Sequence, residues 1–244
     1  MCHNYVKKGN MKTGLAIGTI SKLYGDDYWF IPRLGITVKG TCSGCCGGCK
    51  GSCYVAQSYR YSSVKYSHAV TTIAQRENIL QFWQDVSSQI SRKRNPFEFL
   101  RGNQSGELES DEEFLGYCKI AREHPDLIVY LYTKRYDIVA RNIDMIPTNF
   151  MVNLSIWGNY GIEEYRNLSK KSDRIKAFVY LTREFTTEWY ASKGIFVEAI
   201  CGAYDRNGKM NHAVTCDKCK LCMNPRVKVV GCYDHSRQRK AKLN

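Results

Sequence analysis

The chain has no long apolar run near its start and no excess of acid. Its first residues, MCHNYVKKGNMKTGLAIGTI, offer only the six-residue stretch LAIGTI. That is too short for the core of a signal peptide and far too short for a membrane span. A secretory leader and a membrane partner are therefore not expected, and a cytoplasmic location is. No internal repeat and no low-complexity linker is visible, which excludes a repeat array. Asp plus Glu number 23 against 36 Lys plus Arg, a formal net charge of +13. This imbalance points to an anionic partner such as nucleic acid, nucleotide or phosphate. A soluble basic surface is the simpler alternative. Every metal-bound thiolate would lower the true charge below that count.

What is present is a globular composition. At 43% hydrophobic and 12% aromatic, 244 residues suffice for one α/β domain or two small ones. Apolar stretches at Leu15–Ile20 and Tyr28–Val38, broken by Gly25, Pro32 and Gly35, read as short strands and turns. From His68 to about Arg94 the apolar residues recur near a 3.6-residue period, as in a helix, which Pro96 stops. Strands and helices then alternate. Strands are expected at 96–102, 127–135, 149–158, 175–182 and 195–202, and helices at 110–124, 136–143, 161–171 and 186–194. Ser110 and Glu113 have capping-box spacing. This alternation predicts a parallel sheet with right-handed crossovers. Counting 28–38 as the first, it has six strands. The fold class is α/β, a partial six-stranded barrel or an open parallel sheet over residues 1–202. A cysteine-rich extension and a basic tail, RQRKAKLN, occupy 203–244.

Twelve cysteines in a chain expected to meet a reducing cytosol point to metal rather than to disulfides. One group lies in TCSGCCGGCKGSC (41–53): Cys42, Cys45, Cys46, Cys49 and Cys53. Cys42, Cys46 and Cys49 make C-x3-C-x2-C; Cys46, Cys49 and Cys53 make C-x2-C-x3-C; Cys42, Cys49 and Cys53 make a wider loop. The intervening glycines let backbone approach an inorganic core closely. The second group, Cys216, Cys219 and Cys222, has the C-x2-C-x2-C spacing of ferredoxin-type sites. Structural zinc more often takes two separated C-x2-C pairs. The spacing favours 4Fe-4S clusters, one or two, with zinc as the alternative metal. Cys201 is the first candidate for a remote fourth ligand, then Cys232, then His212. Cys2 and Cys118 are read as incidental, Cys118 as a small buried hydrophobe.

The order of these motifs resembles radical S-adenosylmethionine (radical SAM) proteins with an accessory C-terminal cluster. More closely, it is similar to a group of phage-encoded radical-SAM-like proteins. The resemblance rests on Cys53-Tyr54-Val55-Ala56 after the loop, on Ser105-Gly106-Glu107 after one strand and on Tyr132-Thr133-Lys134 after the next. It spans roughly residues 40 to 225. It implies that three loop cysteines hold a 4Fe-4S cluster and that S-adenosylmethionine (SAM) binds its open iron. It further implies that Ser105, Gly106 and Glu107 meet the SAM amino group. A carboxylate suits an ammonium, and glycine permits close approach. Lys134, Asn153 and Ser155, at or near strand C-terminal ends, are second candidates for that ligand. The sequence departs from the usual motif: Gly48, not an aromatic, precedes Cys49, and Ser52 precedes Cys53.

Three functions follow. The first is a radical-SAM-like enzyme acting on nucleic acid or peptide. The second is a non-enzymatic, metal-stabilised binder of nucleic acid. In SYRYSSVKYSH (58–68), Tyr59, Tyr61 and Tyr66 interleave with Arg60, Lys65 and His68, a pattern suited to stacking bases and neutralising phosphates. The third is a phage-encoded inhibitor that binds a specific host protein or a ribonucleoprotein.

Overall fold

The computed structural model describes residues 4–8, 14–22, 28–43, 53, 55–92, 97–207, 209–211 and 213–234. Its strands are β1 (Lys7–Lys8), β2 (Gly14–Ala16), β3 (Tyr28–Ile31), β4 (Ile36–Lys39), β5 (Phe99–Arg101), β6 (Ile128–Thr133), β7 (Phe150–Ile156), β8 (Ile175–Leu181), β9 (Ala199–Ile200) and β10 (Val229–Tyr233). The main sheet runs β1-β2-β5-β6-β7-β8-β10-β9. All pairs are parallel except β1 with β2. The seven parallel strands form a curled, open half-barrel. Helices are α1 (Val55–Ser58), α2 (Ser62–Glu77), α3 (Ile79–Ser91), α4 (Asp111–Glu123), α5 (Tyr136–Arg141), α6 (Ile162–Ser169), α7 (Thr187–Ser192) and α8 (Cys216–Cys219). Among the described residues no helix is long and apolar enough to cross a membrane.

Four of the expected strands and all four later helices fall within a few residues of their predicted ranges. Continuous apolar runs bury both strand faces, as a parallel sheet requires. On one face Leu100, Val129, Leu131, Val152, Leu154, Ala177 and Val179 pack with Phe82, Val86, Phe114 and Tyr117 of the helices. On the other, Phe99, Tyr130 and Met151 pack with Met223 of the C-terminal segment.

Three expectations are corrected. Residues 28–38 are not the first parallel strand. Gly35, at φ +65°, donates its N–H to the Ile31 carbonyl at 3.0 Å and folds the segment into an antiparallel hairpin, β3–β4, outside the main sheet. The first parallel strand is β2, from the LAIGTI stretch. The long helix begins at Ser62 and breaks at Asn78 (φ −154°, ψ 87°), whose side chain accepts from the Gln81 N–H at 3.0 Å and starts α3. The last strand, β9, is short and lies at the sheet edge. Between it and β8 sits β10, from the stretch assigned to the cysteine-rich extension. The capping box forms at Ser110 and Glu113 as spaced, with its return bond one residue upstream. Ser110 Oγ accepts from the Glu113 N–H at 3.2 Å, while the Glu113 carboxylate accepts from the Glu109 N–H at 2.8 Å.

Candidate functional site at the strand ends

Beyond β2 the chain stays beside the segment that follows β5. The Ile17 N–H donates to the Arg101 carbonyl at 3.0 Å, and the Thr19 N–H to the Ser105 carbonyl at 2.9 Å. The start of the cysteine loop joins here. The Thr41 N–H donates to the Ile20 carbonyl at 2.8 Å, and the Thr41 hydroxyl accepts from the Glu107 N–H at 2.9 Å. Thr19 and Thr41 hydroxyls lie 3.0 Å apart. Between them sits Gly106, at φ +83°, where a Cβ would lie 1.9 Å from Thr19 Oγ1 and 2.4 Å from Thr41 Oγ1. Only glycine fits.

A second thread runs from the thiols to the same turn. Ser21 Oγ lies 3.1 Å from Cys42 Sγ and 3.9 Å from Cys53 Sγ. The two ends of the cysteine loop thus converge, and Ser21 can hydrogen-bond the sulfurs. The Ser21 N–H donates to the Tyr59 hydroxyl at 2.8 Å, which lies 3.1 Å from Ser105 Oγ and 3.3 Å from His68 Nδ1. Burial pushes the Cys42 thiol up to about 12, partly offset by Ser21. It pushes His68 down to about 4, so that ring is neutral.

Glu107 is buried and tied. Oε1 accepts from the Thr133 hydroxyl at 2.6 Å and from the Leu108 N–H at 2.9 Å; Oε2 accepts from the Lys134 N–H at 2.8 Å. Burial raises its pKa against the pull of Thr133 and Lys134. Three of a carboxylate's roughly four acceptor positions are used. Ser105, Gly106, Glu107 and the Lys134 backbone therefore meet at one place. Asn153 and Ser155 do not join it. The Asn153 amide donates to the Leu131 and Cys222 carbonyls at 3.2 and 3.3 Å, and the Ser155 carbonyl accepts from the Tyr136 hydroxyl at 2.5 Å.

The C-terminal thiols gather on the other face of the sheet. Lys176, fully buried in β8, donates to the Leu221 carbonyl at 2.7 Å and to the Asn224 carbonyl. With Asn153 it pins the loop that carries Cys222. Burial pushes Cys222 up to about 12; a hydrogen bond with Tyr132 opposes this, and Cys201 and Cys216 are near enough to add to it. Cys201 is drawn down to about 6, chiefly by its hydrogen bond with Cys232 and further by Arg101. Cys118 is buried in α4, as expected of a small hydrophobe.

As metal sites the two groups differ. Cys45, Cys46, Cys49 and His212 lie outside the described residues. Among the described residues no group of three or more His, Cys, Asp or Glu side chains is arranged to hold a metal ion. At the N-terminal loop the converging pair Cys42 and Cys53 has the soft donor chemistry that iron–sulfur clusters and zinc require. At the C-terminal group Cys201, Cys216, Cys219 and Cys222 share a neighbourhood but do not form a closed ligand set.

The chain belongs to the Gene product 88 family, whose model matches residues 5–238. That range spans the cysteine loop, the Ser105–Glu107 turn and the C-terminal thiols. No curated protein and no solved structure matches the chain.

The residues expected to hold nucleic acid separate. Tyr59 is 5% exposed and bound into the buried network, so its ring face is not offered to a base. Arg60 is exposed, and Lys65 lies half-buried with Nζ 5.4 Å from the Trp29 ring centroid. Thr19, Ser21, Thr41 and Lys176 went unremarked in the sequence. Lys176 had a signal: a lysine inside the continuous strand IKAFVYL must find partners when buried.

Proposed function

We propose that this chain is an iron–sulfur protein of the radical SAM type, with a radical-SAM-like half-barrel. The observation that carries the reading is the joining of Cys42 and Cys53, through Ser21 and Tyr59, to the Ser105–Gly106–Glu107 turn. Cys42, Cys53 and partners from Cys45, Cys46 and Cys49 would hold a 4Fe-4S cluster. When bound, such a cluster supplies an electron to SAM. The chain's own residues do the rest. Ser21 hydrogen-bonds the Cys42 sulfur, which tunes a ligand's basicity. Thr41 and Gly106 fix the turn beside the loop. Glu107 keeps one acceptor position for the SAM ammonium, next to the half-buried Lys134.

In this reading Cys201, Cys216, Cys219 and Cys222 hold a second metal, a 4Fe-4S cluster or zinc, after a small closure of the group. The target is a nucleic acid, a ribonucleoprotein or a specific host protein.

The test is SAM binding and cleavage by anaerobically purified, reduced protein. Saturable SAM binding with release of 5′-deoxyadenosine, both lost in Cys42→Ser/Cys53→Ser, is expected. Stoichiometric iron with no SAM binding overturns the radical SAM part.

A further inference from the structure

Outside the network, hairpin β3–β4 carries two strongly exposed aromatics. Its inner face, Ile31 and Val38 with Trp29, packs on Ile20, Val55, Tyr59 and Ala69. Its outer face turns Tyr28 and Phe30 to solvent, 61% and 60% exposed, opposite Lys39 and Thr37. Cations sit on the rings: Lys39 Nζ is 6.0 Å from the Tyr28 centroid, Lys65 Nζ 5.4 Å from that of Trp29, and the Arg33 guanidinium 5.7 Å from that of Tyr66. The surrounding sequence explains the bias. Residues 28–76 hold Arg33, Lys39, Lys50, Arg60, Lys65 and Arg76 and no Asp or Glu, a run bounded by Asp27 and Glu77.

We infer that this face binds single-stranded nucleic acid. Two rings on alternate positions of a strand offer bases a stacking platform, Lys39 stands on the Tyr28 ring to neutralise a phosphate, and Arg33 in the turn and Lys65 against the inner-face Trp29 add positive charge around the hairpin. A protein-docking face is disfavoured because such interfaces are depleted of lysine at their centre, whereas here Lys39 stands on the Tyr28 ring itself. Unpaired strand is favoured over duplex because stacking needs open base faces. The inference stands apart from the iron–sulfur reading and survives its failure.

The test is fluorescence anisotropy of the full chain with a labelled single-stranded oligothymidine, beside a duplex of the same length. Binding is expected to weaken about twentyfold between about 50 and 200 mM salt if three cations each neutralise one phosphate. Tyr28→Ala/Phe30→Ala, on exposed positions, is expected to weaken it about tenfold or more with an unchanged thermal midpoint. Lys39→Glu should weaken it and flatten the salt dependence. Three results would overturn the inference: no binding at low salt, equal affinity of the double variant, or duplex bound as tightly as single strand. A dimer in light scattering that the double variant dissolves would also do so, assigning the face to a second copy.

Discussion

The Thr41 hydroxyl accepts a hydrogen bond from the Glu107 backbone N–H at 2.9 Å. Thr41 is the residue before Cys42, so the cysteine loop starts on the Ser105–Glu107 turn, the proposed SAM site. This buried hydroxyl is one of two links between the motifs, beside the thread through Ser21, Tyr59 and Ser105.

Removing it should be costly. Thr41→Val keeps the shape but takes the acceptor from the Glu107 N–H, while the Thr19 hydroxyl keeps the Ser105 carbonyl at 3.2 Å. A loss of about 1–3 kcal/mol in unfolding free energy is expected, since an orphaned buried donor loses its full desolvation cost. Thr41→Ser should lie much nearer wild type. Denaturant titration of the three proteins decides it; equal stability of Val and wild type would contradict the account.

Two glycines separate strain from crowding. Gly35 and Gly106 both have positive φ, but a Cβ at Gly35 meets nothing within 4 Å, whereas at Gly106 it meets Thr19 and Thr41. Gly35→Ala should cost about 1–2 kcal/mol, the left-handed penalty alone. Gly106→Ala should cost about 2–6 kcal/mol, with overpacking added. Unfolding midpoints of the two variants check the order.

Much of the scaffold was legible in the sequence because parallel strands are continuous apolar runs and their helices are amphipathic. LIVYLYTKR and IKAFVYLT could hardly be anything else. The failures have physical causes. YWFIPRLGITVK alternates and breaks at Pro32–Gly35, so it reads as a strand unless the turn is weighed as a reversal. VVGCY is short, and only its neighbours β8 and β9 make it a strand. At the site, the cysteines and Ser105–Glu107 were visible, but Thr19, Ser21 and Thr41 were not. A lone hydroxyl carries no signal until the fold brings it to a thiol or an N–H. Tyr59 looked like a stacking ring because tyrosines interleave with basic residues in SYRYSSVKYSH; its own hydroxyl turns inward to Ser21.

Glu113 gives a pH signature. Burial first, and the carboxylates of Glu109 and Glu107 after it, raise its pKa from 4.5 to about 8. An acid held above its unfolded value binds its proton more tightly in the fold. Its contribution is therefore full below pH 4.5 and is lost as pH rises to about 8. Glu113→Gln keeps an acceptor for the Glu109 N–H and does not titrate. The stability of the variant relative to wild type should climb between those two values and level off above. Chemical denaturation at stepped pH reads this directly; a constant difference would mean Glu113 is not buried as described.

Lys176 is expected to position the C-terminal thiols rather than to stabilise the whole fold. Lys176→Met removes the anchors of the Leu221 and Asn224 carbonyls but also removes a buried charge, so global stability should stay within about 1 kcal/mol. Hydrogen exchange at 220–224 and alkylation of Cys222 should quicken about tenfold as local opening becomes easier. Unchanged exchange there would show that the loop needs no lysine.

The most direct measurement is the iron, sulfide and zinc content per chain after anaerobic purification, for wild type and for Cys42→Ser/Cys53→Ser. The account predicts about four irons with matching sulfide that the double variant loses, whatever metal Cys201, Cys216, Cys219 and Cys222 retain. Iron-free wild type, or zinc alone at the N-terminal loop, would contradict it.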